Sequence, residues 1–314
     1  IDSHSPLRIL RGKDDILRII WFYACSEWWS LHIQPYENPF LDGSLIVDLR
    51  KYSIYERKQL FDCPVAVLDT DQIFPVPSLV DEPLNFNMMP FDLLELESTL
   101  PASVLGYLPM IEKCRSYIKT NADLKNSTGN GTRSPDDDDI QALDYTDMKN
   151  RIAYLTIDER PLAGSNMSQR RGGVHVECPG AMRKKEVADK SQYTPDLSYY
   201  HHWGFGEVAG EYLKGGIFLA SNVSNSTAVW NSRIHDTFGD IIGPHGSLER
   251  MRDLLGPPTK CLEAGELIWL SDRTPHESLP IEDGSSRRQF FRLVVGEIAF
   301  WFADHNTPNP TGFQ

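Results

Sequence analysis

A chain of 314 residues and 35.7 kDa, 40% apolar and 24% charged, can bury a sizeable core in one large domain or two smaller ones. Its net charge of −13, from 44 acidic against 31 basic residues, repels phosphate backbones and disfavours a nucleic-acid partner. The five cysteines (Cys25, Cys63, Cys114, Cys178 and Cys261) are scattered and never spaced as CxxC, which argues against a disulfide framework or structural zinc.

No run of about 18 apolar residues suggests a membrane span. The cysteine pattern suits a reducing compartment, so a cytoplasmic location is expected. Five Asn-x-Ser/Thr sequons, at Asn126, Asn130, Asn166, Asn222 and Asn225, keep a secretory origin open. The sequence opens on Ile1, so an upstream piece, targeting or not, is expected to have been removed or omitted.

In chain order, residues 1–12 read as a frayed leader. A helix is predicted from Asp14 or Asp15 to Trp29, acidic at its start and apolar nearly all round, hence packed against a sheet. Ser44–Leu49 and Val65–Ile73 read as strands, with a helical piece at Tyr55–Phe61 between them. The proline-bearing stretch Pro75–Pro101 reads as loop with short helical turns, and Pro109–Tyr117 as a helix with proline in its first turn. Asn121–Asp139, polar and ending in four aspartates, has little to bury and reads as a surface loop.

Beyond this loop the character changes. Eight strand-like segments follow: Arg151–Ile157, Gly173–Glu177, Ser198–Phe205, Gly216–Asn222, Thr227–Arg233, Glu266–Ser271, Pro275–Ile281 and Arg288–Gly296. A final stretch, Ile298–Phe302, is expected to extend the last strand or to pair elsewhere. One helix, Ser247–Leu255 capped by Ser247, interrupts them. The predicted class is α+β, mainly β: a jelly-roll catalytic domain at 145–314, supported by an N-terminal helical and strand region at 1–144.

Within that series, His175 and Glu177 are two apart. On a strand they share a face with Cα atoms about 7 Å apart, close enough for an imidazole and a carboxylate to bind one metal ion. A second histidine from another strand completes a two-histidine, one-carboxylate set, and His276 is the candidate. The basic runs Arg170-Arg171 and Arg183-Lys184-Lys185 flank this strand and suit an acidic small ligand or a solvated loop.

These residues resemble the iron(II)- and 2-oxoglutarate-dependent dioxygenase superfamily, whose fold is a double-stranded β-helix related to the cupins. The resemblance covers roughly the second half of the chain. It rests on His175-x-Glu177 on the second strand, His276 opening the seventh, and an arginine about a dozen residues later, Arg288. The segment Arg288-Gln289-Phe290-Phe291-Arg292 looks like the Arg-x-x-x-Arg end of the taurine dioxygenase branch. A departure is the glutamate where aspartate is commoner.

The resemblance implies Fe(II) held by His175, Glu177 and His276, with 2-oxoglutarate and O2 as cosubstrates. The far carboxylate of 2-oxoglutarate calls for an arginine fork, here Arg288, with Arg292 assisting it or binding an anionic substrate; Arg287 is the fallback if the register slips by one. His202, Trp203 and Asn222 are candidate substrate contacts. Trp230 is expected to stack on substrate or pack in the core, and Cys178 to pack. His201 is a further candidate, the loop Pro179–Pro195 the natural lid, and His235 and His245 surface residues.

The expected substrate is a small molecule or peptide. Rival readings are a cupin-type metal enzyme that does not use 2-oxoglutarate, which would not need Arg288, and a non-catalytic jelly-roll structural or binding protein.

Overall fold

The computed structural model describes residues 33–35, 46–51, 63–76, 83–118, 151–161, 168–178, 202–209, 212–236, 241–281, 287–299 and 301–313. The helix expected at 14–29, the helical piece at 55–61, the acidic loop at 121–139, the proposed lid at 179–195 and His201 lie outside these residues.

Before the mainly β half come β1 (Ile33–Pro35), β2 (Val47–Asp48), β3 (Val65–Asp69), β4 (Asn85–Asp92), α1 (Leu96–Thr99) and α2 (Leu108–Ser116). There follow β5 (Ile152–Pro161), β6 (Gly206–Ala209), β7 (Tyr212–Ser221), β8 (Thr227–Val229) and β9 (Ser232–Ile234). The last group is α3 (Arg252–Leu255), β10 (Lys260–Cys261), β11 (Leu267–Leu270), β12 (His276–Ser278) and β13 (Arg287–Val295).

The larger sheet runs β2-β3-β11-β7-β13-β5-β4, with β6 paired to β7; β2–β3 is parallel and the other pairs are antiparallel. A second sheet, β10-β8-β12, faces it: Arg288 on β13 reaches across to Ser278 on β12 and Thr227 on β8. A small ribbon pairs β1 with β9.

Alternation on β13 explains how one strand serves two compartments. Phe291, Leu293 and Val295 join a core that includes Leu155, Phe218 and Trp269 and, from α2 and the turn before it, Ile111 and Tyr107. Phe290 and Val294 join a second core with Leu219, Ile268 and Val229. Arg288 and Arg292 share that second face, so a strand buried on both sides carries two guanidinium groups inward. Phe291 is fully buried and stacks on Tyr107 at 6.3 Å, so Phe291→Ala is expected to destabilise the protein by about 3–5 kcal/mol in chemical denaturation.

Several boundaries differ from expectation. Residues 85–92 form a strand where a loop was predicted. Pro90 hides that strand in the sequence, yet it is tolerated because β4 is an edge, paired only to β5. Glycine also masks β6, since Gly206 adjoins the backbone of Gly216, where a Cβ would clash at 2.9 Å.

The segment predicted as Thr227–Arg233 breaks into β8 and β9. The helix predicted at Ser247–Leu255 is a 3-10 turn, Glu249–Met251, running into α3, with Leu248 rather than Ser247 at its cap. The N-terminal strands are not a separate layer: β2 and β3 extend one edge of the large sheet and β4 forms the other.

Candidate metal centre

His175, Glu177 and His276 converge, each offering a ligand atom, with those atoms all within 4.8 Å of one another. The backbone brings them there. His175 and His276 are antiparallel bridge partners, exchanging N–H···O bonds of 3.0 and 2.9 Å, and their rings stand 4.5 Å apart. Glu177 follows two residues on, with its Oε1 3.7 Å from His276 Nε2.

The predicted strand Gly173–Glu177 is realised as a bridged, extended segment. Gly173, at φ +85°, breaks the ladder. What holds the segment is a turn on its other side. The Val176 amide donates to the Gly246 carbonyl at 2.9 Å and Leu248 N donates to Val174 O at 2.8 Å. Gly246 is needed at that approach, because a Cβ would stand 2.0 Å from the Val176 oxygen.

Two carboxylates missed in the sequence hold its start. Glu249 Oε1 accepts from Val174 N at 2.6 Å and Glu277 Oε1 from Gly173 N at 3.1 Å, while Arg252 bridges both acids. Glu277 next to His276 was the available signal, since alternation sends it away from the cavity.

Both imidazoles are set for ligation. His175 Nδ1 lies 2.7 Å from the Gly173 carbonyl and His276 Nδ1 lies 2.9 Å from the Thr274 carbonyl. A carbonyl can only accept, so each Nδ1 carries a proton and Nε2 is the nitrogen that each imidazole can offer a metal. Burial and then the neighbouring His276 push His175 down to about 3, so it stays neutral at ordinary pH. Burial alone would raise the Glu177 carboxyl, but Arg292 and then His276 hold it well below the usual carboxylate range.

Two neutral nitrogens and one carboxylate form a donor set that suits a first-row divalent metal such as iron(II). Metal bonds of about 2.1 Å put adjacent ligands roughly 3 Å apart, within reach of small side-chain rotations from these positions.

The lowered His175 value carries a sign for stability. The unfolded chain binds this proton near pH 6.5 and the folded chain only near 3. The stabilisation is thus complete above 6.5 and is lost as pH falls toward 3. Denaturation of the metal-free protein across that window is expected to show the loss, and His175→Leu to flatten it.

A cavity of about 300 Å³ opens on the triad, small but within the range of ligand sites. Arg288 is fully buried behind it. Among the described residues its guanidinium donates to the Ser221, Ser278 and Thr227 hydroxyls and the Ser226 carbonyl, at 3.2–3.5 Å, and no carboxylate forms an ion pair with it. Burial pushes it down to about 10, with Asp158 opposing and Arg170 and Arg160 adding to the shift. It therefore remains a cation at neutral pH.

Other predicted contacts are placed differently. Arg292, expected on the cosubstrate or substrate, donates from Nη1 to Glu177 Oε1 at 2.5 Å and lies 5.5 Å over the Trp203 ring, because Glu177 is the acid within its reach. Trp203 lines the cavity as expected. His202 turns to Asp272, Nδ1 to Oδ2 at 3.3 Å, and packs its ring on Phe205. Asn222 is committed to β13, accepting from Gln289 N at 2.7 Å and donating to Arg287 O at 3.0 Å.

Trp230 and Cys178 are buried, and Trp230 Nε1 donates to the Gly256 carbonyl. His245 is exposed, as expected, and also rims the cavity. Among the described residues no helix is long and apolar enough to cross a membrane. Comparison of the chain with protein-family models, curated proteins and solved structures returned no match.

Proposed function

We propose that this protein is a non-haem iron(II)- and 2-oxoglutarate-dependent oxygenase built on a double-stranded β-helix. The observation that carries the reading is the convergence of His175, Glu177 and His276, with each Nδ1 held by a backbone carbonyl so that Nε2 is the nitrogen offered to a metal. Strand nesting supports the fold. With β6, which pairs with β7, and β9, which pairs with β1, left aside, the eight remaining segments from Ile152 onward pair as β5 with β13, the His175 segment with β12, β7 with β11, and β8 with β10: first with eighth, second with seventh, third with sixth, fourth with fifth.

Iron(II), when bound, supplies the activation of dioxygen for a net reaction in which 2-oxoglutarate, O2 and a substrate C–H bond give succinate, CO2 and the hydroxylated product. The chain's own residues do the positioning. His175 and His276 present neutral nitrogens, and Glu177 presents a carboxylate oriented by Arg292. Arg288 offers a buried cation to the far carboxylate of 2-oxoglutarate, with the Ser278 and Thr227 hydroxyls between it and the cavity.

Arg288 also favours this reading over a cupin that does not use 2-oxoglutarate, since a buried guanidinium with no carboxylate ion pair among the described residues is costly unless an anion arrives to meet it. The substrate is an organic small molecule or peptide rather than nucleic acid. The test is succinate formation from 2-oxoglutarate under air. Succinate dependent on added iron(II) is expected; none with any divalent metal would remove the reading.

A further inference from the structure

We propose that Arg170 and Arg171 hold an anionic group of the organic substrate, which makes that substrate a small acid (carboxylate, sulfonate or phosphate ester) with an apolar body. This inference rests on the oxygenase reading and adds the substrate's chemical class.

The charge distribution of the cavity is the first support. Among the described residues, Arg170, Arg171 and Arg292 line it against one carboxylate, Glu177, which is closed by Arg292. Behind the wall, Asp158 is gripped by both arms of Arg160 and shared with Arg170 through one bond of 3.3 Å. Arg171 gives its Nη1 to the His245 carbonyl, and among the described residues no carboxylate forms an ion pair with it.

A 2-oxoglutarate dianion would direct one carboxylate to the metal and the other to Arg288. Arg170 and Arg171 then remain as surplus positive charge in a protein whose net charge is −13. Such a localised positive cleft draws and orients anions. Arg170 is three-quarters buried, and its Nη2 is aimed by Asn87 Oδ1 at 3.2 Å, so it is a built site and not a solvated side chain.

Shape gives the second support. The same cavity is walled by Trp203, Leu219, Phe290 and Phe302, enough to cover an aromatic or branched aliphatic body. Arg170 and Arg288 each lie 5.4 Å from the Phe290 ring centroid, which makes two neighbouring anion points against one apolar surface. One suits the cosubstrate and the other the substrate.

The experiment is anaerobic calorimetry on the iron-loaded full chain, with and without saturating 2-oxoglutarate. The probes are phenylacetate, benzenesulfonate and phenyl phosphate, with neutral phenylacetamide as the control. The acids are expected to bind and the amide not, and Arg170→Gln is expected to weaken the acids about tenfold, more than it weakens 2-oxoglutarate. Arg171→Gln, at an exposed position where folding is not at risk, is expected to act in the same direction.

Equal binding of acid and amide, or no effect of either variant, would overturn the proposal. An Arg170→Gln effect confined to 2-oxoglutarate would also overturn it and make Arg170 a cosubstrate residue. If 2-oxoglutarate itself gave no heat, the oxygenase reading would fail, while the acid titrations would still report separately on the two arginines.

Discussion

His276→Ala is expected to cut iron(II) affinity by more than about 100-fold and to abolish succinate formation, while the protein stays folded. The basis is local. His276 sits in a three-residue strand, its imidazole faces the cavity, and β12 is held by backbone bonds to β8 and to His175 that alanine preserves. Losing one of three donors leaves a bidentate site that water can displace. Equilibrium dialysis with unchanged far-UV circular dichroism measures this directly. Iron affinity equal to wild type would show that the ligand is another residue.

Arg288→Met is expected to move stability and binding in opposite directions. With no acidic partner among the described residues, the buried guanidinium has given up water for long hydroxyl contacts, so an apolar side chain of similar length is expected to stabilise the ligand-free protein by about 1–3 kcal/mol. Two of the three hydroxyls left behind keep other partners: Ser221 accepts from Val223 N and Ser278 from Arg170 N. Affinity for 2-oxoglutarate is expected to fall by about 30-fold or more, since the far carboxylate loses its buried cation. Denaturant melts and calorimetry read the two effects separately. A destabilised variant with undiminished 2-oxoglutarate affinity would assign Arg288 to structure alone.

The three converging residues were more legible in the sequence than the contacts that bring them together. His175, Glu177 and His276 could be found because spacing of two on a strand and strand order are both written in the chain. Arg288 followed from its position after His276. What stayed hidden depends on contacts distant in sequence. Arg292 has the alternation of a cavity residue, but only the fold shows Glu177, 115 positions earlier, within 2.5 Å of it.

Asn222 and His202 have the polarity of substrate contacts, yet each satisfies a backbone or carboxylate neighbour instead. The strand at 85–92 was obscured by prolines that an edge tolerates. The Glu249–Arg252–Glu277 clamp joins an irregular helical turn to β12, and no periodicity announces it.

The proposed centre holds one iron(II) ion between His175, Glu177 and His276 with 2-oxoglutarate beside it. The most direct measurement is an iron(II) titration under argon with 2-oxoglutarate present, followed in the visible spectrum. A weak charge-transfer band is expected to grow to one iron per chain, to be absent without 2-oxoglutarate, and to vanish in His276→Ala. A spectrum unchanged by iron and 2-oxoglutarate together, or a band equally strong in His276→Ala, would contradict it.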